Sequence, residues 1–426
     1  MLVPCLLAAT PWLLSAFRPA GPPPPTLNDA RHLLGAHHPA AAMQALDLAL
    51  RHTPPDADAQ TLLRETYAAV CDPATGEPNP RISGPAARIA ATLQDALGGG
   101  LGSALDYQLL GQFALAGGLA TEAVPAFRKA AAMGADPAAL QLPFALALLR
   151  ANDLDALLQT IPANAADPHL GARLLVVRGQ AQEALGQDDA ARASFEHATS
   201  IDPGNVDAFA RLGMMELGQS KPAAAAGWLA RAEAANPTAT PALRLRAEYD
   251  FAMRDYAGSD KTYTTLVAQR AAETYDPIPP SLGKARAEIY LGELTQAAAT
   301  LDAAPLNQRD PHLVFYRALL AFRSGQFRRA GDLAEPLDTS IHDFPPLDLL
   351  IGSTLLANGF PATAATRLQA YLAMVPGNPA AQALLNDADD RLAHPNLPMP
   401  VPVEHLLEAF GFPPSLAPAA QTAGRL

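Results

Sequence analysis

The chain has 426 residues, of which 49% are hydrophobic but only 6% aromatic, and a formal net charge of -12. This acidic balance argues against general polyanion binding, which needs a basic stripe to neutralise phosphates. Its two cysteines, Cys5 and Cys71, exclude a disulfide framework and a cysteine-cluster metal site. With few rings and abundant alanine, close helix contact has to come from small side chains, as in an array whose segments bury their faces only on their neighbours.

In chain order, Leu2 to Phe17 is uncharged and largely apolar, Arg18 follows, and Gly21 to Pro25 is proline-rich. Residues 1–25 are therefore expected to be a secretory signal or uncleaved anchor with a linker, a possible membrane association; a misassigned start and a buried helix are the alternatives. Pro4 and Pro11 interrupt the run, which is shorter than a spanning helix needs. Residues 26–100 read as degenerate helical repeats. Ala40 to Leu50 and Asp58 to Val70 have helical apolar spacing and are expected to pair, and Asp72 to Pro85, rich in proline and glycine, reads as a loop. A helix from Pro85 to Leu97 is expected to stop at Gly98 to Gly100 in a left-handed cap.

From Tyr107 a period of 34 residues emerges, with Gly111, Ala145, Gly179, Gly213 and Ala247 in one column. Within each unit an alanine and a bulky residue recur, as Ala123 and Phe127, Ala191 and Phe195, and Ala225 and Leu229. Pro203 and Pro237 mark ends of units. The register slips at Tyr275 to Pro280 and resumes with Ala285 and Gly292, Ala318 and Gly325, then Gly352, Ala364 and Leu368. Asp348 stands where a large residue is expected, and Pro379 to Leu392 reads as a capping helix that closes an array over 101–394. The tail, 395–426, is proline-rich around Val403 to Phe410, where Leu406, Leu407 and Phe410 share a helix face. That short helix either folds back on the end of the array or docks a partner or the groove itself.

The columns resemble those of the tetratricopeptide repeat family, helix-turn-helix units of about 34 residues. The resemblance implies an all-α, right-handed superhelical α-solenoid that captures peptides along its concave face through positions 2, 5, 9, 12 and 13 of each first helix. Carried onto this sequence, those positions include Gln108, Gln112, Arg173, Val176, Gln180, Glu183, Arg244, Glu248, His312 and Phe315. The set lacks the dense basic clamp with which some members hold an acidic C-terminus.

Chemistry-bearing motifs are not found. No Walker A loop, dinucleotide fingerprint, His-Glu-x-x-His or Gly-x-Ser-x-Gly occurs. His32, His37 and His38 do not converge as metal ligands, and Phe315, Tyr316 and Phe322 have core spacing. The expectation is a non-catalytic scaffold with no cofactor, no metal and no nucleic acid, binding a protein or polymer-assembly partner in a bacterial envelope. The alternative is a cytoplasmic regulatory or substrate-recruiting subunit of a separate enzyme.

Overall fold

The computed structural model describes residues 25–50, 55–72, 75–76, 78–79, 82–98, 102–161, 167–269, 278–339, 344–394 and 403–412. The expected signal segment, the Cys5 thiol, and the turn insertion up to residue 277 lie outside them. The described residues hold twenty-two α-helices and no strand. None of these helices is long and apolar enough to cross a membrane. The helices form two compact units.

The first unit holds α1 (Leu27–Gly35), α2 (Pro39–Leu50), α3 (Ala57–Val70), α4 (Ser83–Leu97), α5 (Ala104–Ala116), α6 (Ala120–Ala132) and α7 (Pro137–Arg150). The main partner of α2 is α1, not α3 as the apolar spacing suggested. The α1–α2 hairpin follows the columns of the later repeats: Ala30, Ala42 and Leu46 are fully buried where small, small and large residues recur, and His37 occupies the turn with φ 60°. The short first helix, with only nine residues and few apolar ones, hides that unit from a periodicity argument. Helix α4 is capped by Gly98 in the right-handed region with φ -57°, and the other two glycines of the expected left-handed cap, Gly99 and Gly100, lie outside the described residues. Its backbone passes close to α5, where a Cβ on Gly117 would be 2.8 Å from the Ala87 Cα.

The second unit begins with α8 (Leu154–Thr160), α9 (Pro168–Ala184), α10 (Asp188–Ile201), α11 (Val206–Gly218), α12 (Pro222–Ala235), α13 (Thr240–Ala252) and α14 (Tyr256–Ala268). It continues with α15 (Pro280–Leu291), α16 (Leu294–Ala303), α17 (Pro311–Arg323), α18 (Phe327–Ala334), α19 (Pro345–Ala357), α20 (Pro361–Met374), α21 (Pro379–Ala393) and α22 (Val403–Glu408). From α9 to α20 consecutive helices pack as antiparallel hairpins, each against the next.

The repeat columns acquire physical roles here. In several hairpins the ring or branched side chain of the later column sits over the glycine of its own first helix: a Cβ at Gly179 would overlap the Phe195 ring, and one at Gly352 would stand 3.0 Å from Leu368, whereas at Gly213 Leu245 of the next hairpin fills the space. The bulky residue also faces the next unit's first helix, as the spacing suggests: the Phe127 ring lies 5.8 Å from that of Phe144, and a Cβ at Gly283 would overlap the Tyr263 ring. The alanines Ala191, Ala225, Ala297, Ala330 and Ala364 are all 0% exposed, so any larger side chain there would have to displace a helix. Each turn inside a hairpin places one residue in the left-handed region, seven residues after the small residue of the first helix. Gly186, Gly292, Gly325 and Gly359 serve there, as do the non-glycine residues Ser220 and Arg254. Asp348, out of pattern in the sequence, is held by Arg367 Nη1 at 3.2 Å, and the other guanidinium nitrogen reaches Asp338 at 2.5 Å.

Candidate protein-interaction face

The first helices of the second unit, α9, α11, α13, α15, α17 and α19, carry the positions from which partner binding is expected. Across α9 and α11 the polar groups are tied together. Arg211 Nε lies 3.5 Å from Asp207 and its Nη1 3.9 Å from Glu183, and the Gln180 side-chain oxygen accepts from the same guanidinium. Arg173 is half-buried on the second turn of α9.

On α13, Arg244 is buried and donates to the Ile278 carbonyl at 2.9 Å. Glu248 accepts from Arg286 Nη2 at 2.6 Å and from the Tyr263 hydroxyl. The Arg286 guanidinium also lies 3.8 Å from the centre of the Phe251 ring, a cation–π contact in a largely desolvated place. Burial and the neighbouring Glu248 carboxylate push the Tyr263 hydroxyl well above the usual tyrosine range, and it acts as a donor at every ordinary pH. His312 is half-buried, its ring edge-on to Phe344 at 6.0 Å. The two remaining expected residues, Gln108 and Gln112, belong to the first unit and are both buried on α5. Within the second unit, Gln180 and Glu183 share one cluster and Glu248 anchors another.

Extending the position rule past the register slip reaches residues outside the expected set. Arg286 takes position 9 and Tyr290 position 13 of the unit containing Ala285; Phe322 and Arg323 take positions 12 and 13 of the unit containing Ala318. The insertion explains the omission, since Glu248 and Arg286 hold the same position yet lie 38 residues apart. These four residues mark the face on which the C-terminal segment sits.

That segment folds back onto α15, α17 and α21. The Tyr290 hydroxyl donates to the Phe410 carbonyl at 2.9 Å, and Asn378 Nδ2 donates to the Ala409 carbonyl at 3.4 Å. The Phe410 ring packs on Phe322 at 5.0 Å, the Phe412 ring on Tyr290 at 4.6 Å, and His405 Nδ1 lies 3.1 Å from Asp387. Gly411, with φ 70°, turns the chain so that Phe410 and Phe412 lie on the same side, their rings stacked at 5.8 Å. Leu406, Leu407 and Phe412 are buried. Burying such side chains contributes about 1.5–3 kcal/mol each. The helix stops at Glu408, two residues before the Phe410 that spacing had placed on it, and α21 is covered on one face while Asn386, Asp389 and Asp390 remain exposed.

Among the described residues no three His, Cys, Asp or Glu side chains gather in a way that could hold a metal ion. The chain's chemistry lies in its surface: a row of first helices with paired charges at one end and, at the other, an aromatic and arginine floor that already holds a peptide segment.

Residues 172–205, covering most of α9 and all of α10, match the family model described as tetratricopeptide repeat. No curated protein matches the chain. Among solved structures, it is similar to a tetratricopeptide repeat protein from Parabacteroides merdae ATCC 43184, at 17% identity over 67% of this chain and 98% of that one, with a TM-score of 0.34. It is also similar to a chain of the APC/C hetero-tetramer Cut9-Hcn1, at 14% identity over 78% of this chain and 70% of that one, with a TM-score of 0.42. Residues 172–205 thus form a tetratricopeptide-like hairpin, and the hairpins after it keep its buried columns and its left-handed turn, so that the second unit is an all-α solenoid of such hairpins.

Proposed function

We propose that the chain is a non-catalytic scaffold that holds a protein partner along the first-helix face of its second unit. The observation that carries this reading is the seated C-terminal segment: side-chain donors from Tyr290 and Asn378 meet main-chain carbonyls, and aromatic pockets take Phe410 and Phe412. Laying the apolar face of a short helix into a hydrophobic groove is one of the recurring ways in which proteins hold peptides. The test is a titration of a synthetic peptide of residues 401–414 into the full chain carrying Leu406→Ser, Phe410→Ser and Phe412→Ser, which releases the tethered segment. Saturable one-to-one binding is expected; no binding by a variant that melts cooperatively would contradict the reading.

An envelope location is part of the proposal and rests on the apolar run from Leu2 to Phe17. Mass spectrometry of the N-terminus in fractionated cells tests it. A chain that starts at Met1 and is recovered from the cytoplasm would contradict it.

A further inference from the structure

The seated segment leaves one group badly served. Arg323, at the end of α17, is 1% exposed, and none of its three guanidinium nitrogens has a hydrogen-bond partner. What covers it is the Phe412 ring, 4.7 Å from the guanidinium carbon. Burial without a counter-charge lowers the arginine pKa from its ordinary value. A guanidinium presents five donors in a fixed fork, and a buried charge left unpaired is a large cost that a cation–π contact offsets only in part. One repeat further on, Ser353 Oγ at position 9 of its unit is also buried without a partner. The C-terminal segment therefore covers Arg323 with a ring and gives its guanidinium no acceptor.

We propose that this floor is a carboxylate-reading site, and that its partner is a short amphipathic peptide with an acidic group where Phe412 now lies, paired to Arg323. The inference rests on the scaffold reading and names the partner's chemistry. Leu406, Leu407 and Phe410 indicate the apolar pattern that the peptide shares with the tail, two adjacent anchors and an aromatic one three residues on. The acidic group distinguishes the partner from the tail, since an Arg–carboxylate pair in a desolvated place gains two charge-assisted bonds that a ring cannot supply. The tail is then an occupant that a better-matched peptide displaces, and its tethering sets how well that peptide must bind.

Two peptides of residues 401–414, one native and one with Phe412→Glu, are titrated into the full chain released by the three serine substitutions, with and without Arg323→Gln. The Glu peptide is expected to bind at least tenfold more tightly than the native one, and Arg323→Gln is expected to abolish that preference. Equal binding of the two peptides, or a preference that survives Arg323→Gln, overturns the carboxylate proposal and leaves the scaffold reading standing. Failure of both peptides to bind overturns both. A second measurement needs no released tail: Phe412→Glu in the intact chain should raise Tm, and in the Arg323→Gln background the same substitution should lower it. A fall in Tm in both backgrounds contradicts the proposal.

Discussion

The Phe127 ring lies across Gly111, with its Cδ1 only 2.7 Å from where a Cβ on that glycine would stand. The ring is fully buried, so it has nowhere to go. Gly111→Ala and Gly179→Ala should each destabilise the fold by about 1–3 kcal/mol through overpacking. Gly227, exposed in the middle of α12 with open space around it, is the control. Gly227→Ala should raise stability by about 1 kcal/mol, the helix propensity difference alone. Denaturant melts of the three variants check both signs.

Arg254 and Ser220 hold the left-handed turn position that glycine fills in other repeats, with φ 62° and 57°. Both are exposed, so their side chains are not buried in compensation. A non-glycine residue there carries a steric cost of about 1–2 kcal/mol, partly returned by the extra freedom of glycine in the unfolded chain. Arg254→Gly and Ser220→Gly should therefore each stabilise by about 1 kcal/mol, and Gly325→Ala should destabilise by a similar amount. Thermal melts at one pH are sufficient to rank them.

Glu248 and Arg286 join neighbouring repeats by an ion pair of 2.6 Å between largely buried side chains. Removing one member leaves the other desolvated and uncompensated, which costs more than removing both. Glu248→Leu alone should cost about 3–5 kcal/mol, and adding Arg286→Met should recover part of that loss. A double-mutant cycle should give a coupling energy of about 1–3 kcal/mol. Additive single effects would mean that the pair is not formed.

His169, in the first turn of α9, is paired with Asp202, which follows α10, at 3.0 Å. The hydrogen bond and charge of Asp202 raise its pKa above the ordinary histidine value of about 6.5. Because the folded state holds the proton more tightly, this contribution is complete below about 6.5 and is lost as pH rises through the folded-state value. The imidazole is exposed, so the effect is small. A proton NMR titration should place His169 above the ordinary value in the native chain and return it there in Asp202→Asn.

The legible part of this molecule is what one hairpin imposes on itself. Gly179 with Phe195, and Gly352 with Leu368, mark buried columns because a small or large residue recurs at a fixed distance. The illegible part joins elements whose separation no period sets. Tyr290 reaches Phe410 across 120 residues, and nothing in the spacing of either tells that they meet. The candidate face was legible in its positions, through Arg244 and Glu248, but not in its pairing. Whether a charged residue at position 9 is open to a partner depends on its neighbour one repeat on, as Arg286 is to Glu248.

The central claim is that the first-helix face around Tyr290, Phe322 and Arg323 is a peptide-holding surface occupied by the chain's own C-terminal segment. Its most direct test replaces Phe412 with the photo-cross-linking analogue p-benzoylphenylalanine in the full chain, followed by irradiation and peptide mapping. The expected product is an intrachain cross-link from position 412 to the end of α15 at Tyr290 or the end of α17 at Arg323. Cross-links that map only elsewhere, or none in a chain that melts like the native one, would contradict the claim.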